Sequence, residues 1–214
     1  MNYEGFKEVI HGRRSVRKFT EQEVSTNDIK RKLIVLVMHR AIRTHKRGIL
    51  VIMNREKIKE IEQMTWDALH KLAAKATDNG EEKAGKLLTR SFGPYATAFS
   101  EAPVLIVCLA TPYESKFREK IFDPIAFVPD SVWEEEGIKS SCLAAQNLML
   151  AAHAKGLGTC PMTGPVLLAQ DELRQYLQIE PEKQINMVIS LGFPKDKPKK
   201  LPRKEVEEIT TFVF

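Results

Sequence analysis

Cysteine is scarce in this sequence, and its placement excludes two kinds of protein at once. Cys108, Cys142 and Cys160 are odd in number, widely spaced and never arranged as C-x-x-C. That pattern supports neither a disulfide framework nor a zinc site, and it predicts a reducing, cytoplasmic setting. Long apolar runs are missing too. Runs such as Leu33 to Met38 fall far short of the roughly 18 to 20 residues that cross a bilayer. The opening MNYEGFKEVI has neither the basic nor the apolar region of a secretory signal. No membrane partner is expected. Aromatic residues make up only 7%, with no stacking platform or recognition-helix pattern, so nucleic acid is not an expected partner either. His11, His39, His45, His70 and His153 are scattered, without H-E-x-x-H, and predict no metal centre. G-x-S-x-G is absent, and Glu134-Glu135-Glu136 reads as an exposed helix face, so nothing points to hydrolysis.

What is abundant is positive charge, in three places. The segment HGRRSVRKFT, residues 11–20, holds Arg13, Arg14, Arg17 and Lys18. Residues 29–47 carry seven cations and no acid, and residues 194–204 carry six cations against Asp196. The net charge is only +5, so the rest of the chain is acidic. Such local excess predicts an anionic ligand.

The 214 residues read as a single domain, 1–214. Tyr3, Phe6, Val9 and Ile10 recur at helical spacing, with Gly12 at a C-cap position. Ser25-x-x-Asp28 resembles a capping box opening a helix to about Arg43. Gly48–Met53 reads as a strand, and Asn54 or Arg55 begins a helix with Ile58, Ile61, Met64, Ala68 and Leu72 on one stripe, to about Ala76. Residues 77–100 read as a shorter helix with a mobile loop. Val104–Leu109 is the clearest strand, and Thr111–Pro129, with three prolines, reads as an irregular excursion. A helix from about Ser131 to Lys155 has a small, apolar centre suited to close packing. Ile185–Leu191 reads as a strand and Ile209–Phe214 as a terminal β-like run.

Two phosphate motifs fail on mechanism. Gly80 to Leu87 nearly matches G-x-x-x-x-G-K-S/T, but Leu87 has no hydroxyl for magnesium and no strand precedes it. It reads as a charged helical turn. Gly156-Leu-Gly158 follows a helix and reaches Pro161 where a dinucleotide fingerprint needs glycine. The basic segment holds up better. In extended geometry Arg13, Ser15 and Arg17 share one face, and two guanidinium forks with a hydroxyl suit a phosphate.

Three segments together resemble the nitroreductase family of flavoproteins: R-R-S-V-R-K-F after an amphipathic helix, AAQNLMLAAHAKGLGTCPMTGP at 144–165, and VISLGFPKDKPKKLPRK at 188–204. Their order and spacing span nearly the whole chain. The resemblance implies an α+β fold, a central, mostly antiparallel sheet flanked by helices, in an intertwined homodimer. It implies that the C-terminal arm, about 194–214, reaches the partner subunit. It further implies FMN as cofactor, NADH or NADPH as donor, and a small organic acceptor such as a nitroaromatic or quinone. Carried over residue by residue, Arg13, Arg14, Ser15 and Arg17 match the phosphate and ring contacts. Pro161, Met162, Thr163 and Gly164 match the turn against the flavin ring, and Arg203 with Lys204 the closing phosphate contact. No side chain is expected to act as a catalytic acid or base. One stretch departs from the pattern: after Ala41, Thr44 stands for the family's Ser/Thr, but Lys46 replaces its Asn, and Q-P-W is absent. That departure leaves open a non-catalytic flavin-binding or sensing protein of the same fold.

Overall fold

The structure, a computed structural model, describes residues 2–30, 48–196, 198 and 202–213. The helix expected from Ser25 to about Arg43 lies outside these residues beyond Lys30, as do the expected contacts Thr44 and Lys46.

The first helix, α1, spans Tyr3–Gly12, and the Asn2 side chain caps it by accepting from the Gly5 amide at 3.0 Å. At Ser25 the expected cap forms: the side-chain oxygen accepts from the Asp28 amide at 3.1 Å and opens α2, Thr26–Asp28. Strand β1, Ile49–Ile52, leads into α3, Arg55–Asp78, capped by Asn54. The buried stripe of α3 is Ile58, Ile61, Thr65, Leu69 and Ala73. Leu72, expected on it, is 44% exposed.

Residues 82–96 depart from expectation, because they are helical throughout. Helix α4 (Glu82–Leu87) passes through a π-helical turn, Leu88–Phe92, into α5 (Gly93–Ala96). Glycine here serves close packing rather than a loop: a Cβ on Gly93 would come 2.4 Å from the Trp66 ring of α3. The near-match to a phosphate loop is the expected charged helical turn.

Strand β2, Val104–Ala110, is buried at every position. The excursion after it is irregular apart from its helical turns, among them a π-helical one at Arg118–Phe122. Helix α6, Asp130–Ala154, buries Trp133, Gly137, Ser141, Ala145, Leu148, Met149 and Ala152, a stripe of helical period. Gly156, at φ +77°, ends it in the left-handed conformation that glycine tolerates. Strand β3, Gly158–Met162, leads to α7, Gly164–Tyr176, and then to β4, Gln184–Gly192.

The four strands form one antiparallel sheet in the order β1-β2-β4-β3. One face, with Leu105, Val107, Cys160, Met162 and Val188, packs against α3 and α7. The other, with Val104, Ile106, Ile189 and Leu191, packs against the buried stripe of α6. The architecture is thus the expected α+β sandwich. Each large core side chain contributes roughly 1.5 to 3 kcal/mol through burial.

At the C-terminus a capping box between Glu205 and Glu208 opens a short helix, α8, Val206–Ile209. The expected β-like run therefore begins with its first residue in a helix. Residues 210–213 follow in irregular backbone. No helix among the described residues is long and apolar enough to cross a membrane.

Candidate functional site

Helix α1 delivers the basic segment onto the edge of the sheet. The Val16 amide donates to the Thr159 carbonyl at 2.9 Å, and Ser15 bridges Thr159 in parallel. Val16 and Phe19 anchor the segment by packing with Ala102. Farther on, the Thr20 amide donates to the Phe193 carbonyl at 2.9 Å, and the Lys195 amide to the Lys18 carbonyl at 3.0 Å. Backbone pairing therefore joins the N-terminal basic segment to the segment leaving β4. Two of the three cationic stretches are brought together in this way.

With Val16 turned inward, Arg13, Ser15 and Arg17 gather around Cys160 of β3. Burial pushes the Cys160 thiol above its ordinary range, while Arg17, the Ser15 hydroxyl and Arg13 pull it the other way. Burial also lowers the Arg13 pKa, with Arg14 and Arg203 adding to the effect. Arg203, from the segment after β4, thus adds to the positive charge felt at Arg13. An arginine stays protonated regardless, so this region concentrates positive charge.

Arg13 carries a conspicuous deficit. Its Nη1 is buried and has no hydrogen-bond partner among the described residues. Among those residues no carboxylate lies within salt-bridge distance of Arg13, Arg17 or Arg203. A buried, unpartnered donor on a cation is costly, and an anion arriving from outside removes that cost.

Arg14 faces differently. Its Nη1 donates to the His11 carbonyl at 2.7 Å and the Arg13 carbonyl at 2.8 Å, closing the C-terminal end of α1. Lys204 is exposed beside Arg203. Pro161 sits on an edge strand, where its missing N–H costs least. Met162 points into the core, 4% exposed. Thr163 precedes α7 without capping it through its side chain. A Cβ on Gly164 would come 2.7 Å from the Ala96 Cβ, so the first turn of α7 is pressed against α5.

Two further residues belong to this site without any signal in the sequence. The Tyr95 hydroxyl accepts from Arg17 Nη2 at 3.3 Å, a contact between residues far apart in the chain that no local pattern marks. His153, near the end of α6, has its pKa lowered by burial and then by Arg13 and Arg14. It closes on Gly12, where an added Cβ would come 2.7 Å from its Nε2.

Fold and site together define an α+β protein with a cluster of arginines at one edge of its sheet. The chain belongs to the nitroreductase family, which it matches over residues 10–193. Solved structures of similar fold include a BluB-like flavoprotein from Clostridium difficile 630, at 23% identity and TM-score 0.78, covering 97% of this chain and 98% of that one. Nitroreductase A of Vibrio parahaemolyticus RIMD 2210633 is 19% identical with TM-score 0.67, covering 100% of this chain and 77% of its own. The NADPH:FMN oxidoreductase of Vibrio harveyi, complexed with NAD+, is 18% identical with TM-score 0.63, covering 97% and 76% respectively. No curated protein matches the sequence.

Proposed function

We propose that this chain is an FMN-dependent oxidoreductase, passing hydride from NADH or NADPH to a small organic acceptor. Family membership supports oxidoreductase chemistry, and the observation that carries the flavin assignment is the unpartnered buried nitrogen of Arg13. A phosphate monoester fits that deficit. Arg13, Ser15, Arg17 and Arg203 would hold it through charge-assisted hydrogen bonds, with Lys204 beside them. Arg14 contributes charge rather than a direct fork, because its Nη1 is committed to backbone carbonyls. The turn from Pro161 to Gly164 would lie against the flavin ring through its backbone and Thr163. The resemblance also implies ring contacts from Thr44 and, where the family has Asn, from Lys46; both lie outside the described residues.

When bound, FMN supplies the two-electron chemistry that no side chain here provides. The protein's part is to bind, orient and exclude water. The uncapped N-terminus of α7 beside the turn is a positive end suited to an electron-rich ring edge.

The purified protein should be yellow or take up FMN, and anaerobic NADH or NADPH should bleach its visible flavin bands. Bands that persist with both donors would favour the non-catalytic reading motivated by Lys46. Absence of any flavin uptake would remove both.

The same reading includes a homodimer, supported by apolar surface left bare in one chain. Tyr3 is 74% exposed, Leu143 58%, Phe212 71% and Val213 93%. A second copy covering α1, the outer face of α6 and the arm would bury them. Deleting residues 206–214 should weaken the dimer and release flavin together, read by light scattering and flavin absorbance. A truncated chain that stays dimeric and fully loaded would show that the arm serves neither.

A further inference from the structure

Arg17 stands exposed at the rim of the cationic cluster, without a carboxylate partner among the described residues. Two contacts with one residue hold it. Its Nη2 donates to the Tyr95 hydroxyl at 3.3 Å, and its Cζ lies 4.9 Å from the centroid of the Tyr95 ring. Tyr95 belongs to α5, which is wedged between Trp66 of α3, against Gly93, and Gly164 of α7, against Ala96. The backbone at Tyr95 is therefore firmly placed, while its side chain stays 54% exposed and turned to Arg17.

The chemistry of that partner matters. A carboxylate would hold the guanidinium but neutralise it and compete with an incoming anion. An aromatic face and a phenol hydroxyl restrain the same group and leave its charge available. An arginine side chain has many rotamers, and a site that freezes them only when ligand arrives loses affinity.

We propose that Tyr95 is a positioning residue, which holds the Arg17 guanidinium, uncompensated, at the anion site formed with Arg13, Ser15 and Arg203. The proposal rests on the reading of Arg17 as a phosphate contact.

The test compares FMN with riboflavin, which lacks the phosphate, by fluorescence titration of the full chain. The variants are Tyr95→Leu, Tyr95→Phe, Arg17→Ala and the double variant Tyr95→Leu with Arg17→Ala. Tyr95→Leu should weaken FMN binding about three- to tenfold and leave riboflavin unchanged. Tyr95→Phe, which keeps the ring, should stay within about twofold of the parent. In the Arg17→Ala background, Tyr95→Leu should add nothing. Equal loss of FMN and riboflavin in Tyr95→Leu, or a full additional loss in the double variant, overturns the positioning role. So does a normal Tyr95→Leu beside a defective Arg17→Ala. An unchanged FMN-to-riboflavin preference in Arg17→Ala instead overturns the phosphate reading itself, and the proposal with it.

Discussion

Arg118 and Arg13 are both half-buried arginines, yet their surroundings are opposite. Arg118 donates through Nη1 to the Tyr113 carbonyl at 3.0 Å, through Nε to Asp123 at 3.3 Å and through Nη2 to Asp130 at 3.0 Å. Its Cζ also lies 5.3 Å from the Trp133 ring centroid. Three of its nitrogens and one face are engaged, and the excursion between β2 and α6 is gathered around it. Arg13 has like charges for neighbours and a buried nitrogen with no partner among the described residues. On the proposed reading, the contrast separates an arginine that folds the chain from one that a ligand completes. A satisfied cation stabilises locally, whereas an unsatisfied one makes the empty site less stable and its ligand a stabiliser.

The sharpest way to break this comparison is Arg13→Ala. FMN affinity should fall about 10- to 150-fold, the loss of a charge-assisted contact. The flavin-free protein should be no less stable to denaturant, since an unpaired charge has been removed. Unchanged FMN titration together with lowered stability would place Arg13 among the folding arginines.

Arg118→Ala should do the reverse. Its partners are mostly exposed carboxylates, Asp130 at 85%, so the ion pairs themselves are worth little. Loss of the Tyr113 carbonyl bond and the Trp133 contact should still cost about 1 to 2 kcal/mol in urea unfolding. FMN affinity should stay within about twofold of the parent, and a larger loss would erase the distinction.

The smallest effect belongs to His153. Burial and the two arginines hold its pKa below the ordinary 6.5. The unfolded chain then binds more protons between the folded value and 6.5, so stability rises with pH across that window and is lost as pH falls through it. A phosphate at Arg13 adds negative charge nearby and should raise the His153 pKa. NMR titration of its ring protons with and without FMN reads this directly. A shift downward on loading would mean that no anion settles beside Arg13.

The elements legible in the sequence are those whose period is set by one buried face. Helices α3 and α6 follow such patterns, strands β1, β2 and β4 are legible as short apolar runs, and the caps at Ser25 and Asn54 are readable as local chemistry. Strand β3 is not legible, because Gly158 and Pro161 are poor strand formers and only pairing with β4 makes the segment a strand. Helix α7 is hidden for a related reason: Pro165 and the preceding glycine suggest a turn, and only packing against α3 and α5 carries the chain on as a helix. Residues 82–96 mislead through their glycines, which answer to α3 rather than to a loop. In the site, the shared face of Arg13, Ser15 and Arg17 is readable from alternation alone. The inward turn of Met162, the retreat of Arg14 onto α1 and the arrival of Tyr95 are not, since each depends on contacts across the fold.

The pairing of the Lys18 carbonyl with the Lys195 amide has a consequence for how the protein is made. Arg13 leaves the ribosome well before β1 and β2, whereas Arg203 and the segment that pairs with residues 18–20 follow β4. A nascent chain can thus complete the sheet pairing of β1 with β2 long before Arg13 and Arg203 come together. On the proposed reading, cofactor capture waits for the segment that follows β4, and a chain interrupted after β2 lacks Arg203 and Lys204 of the residues assigned to the anion site.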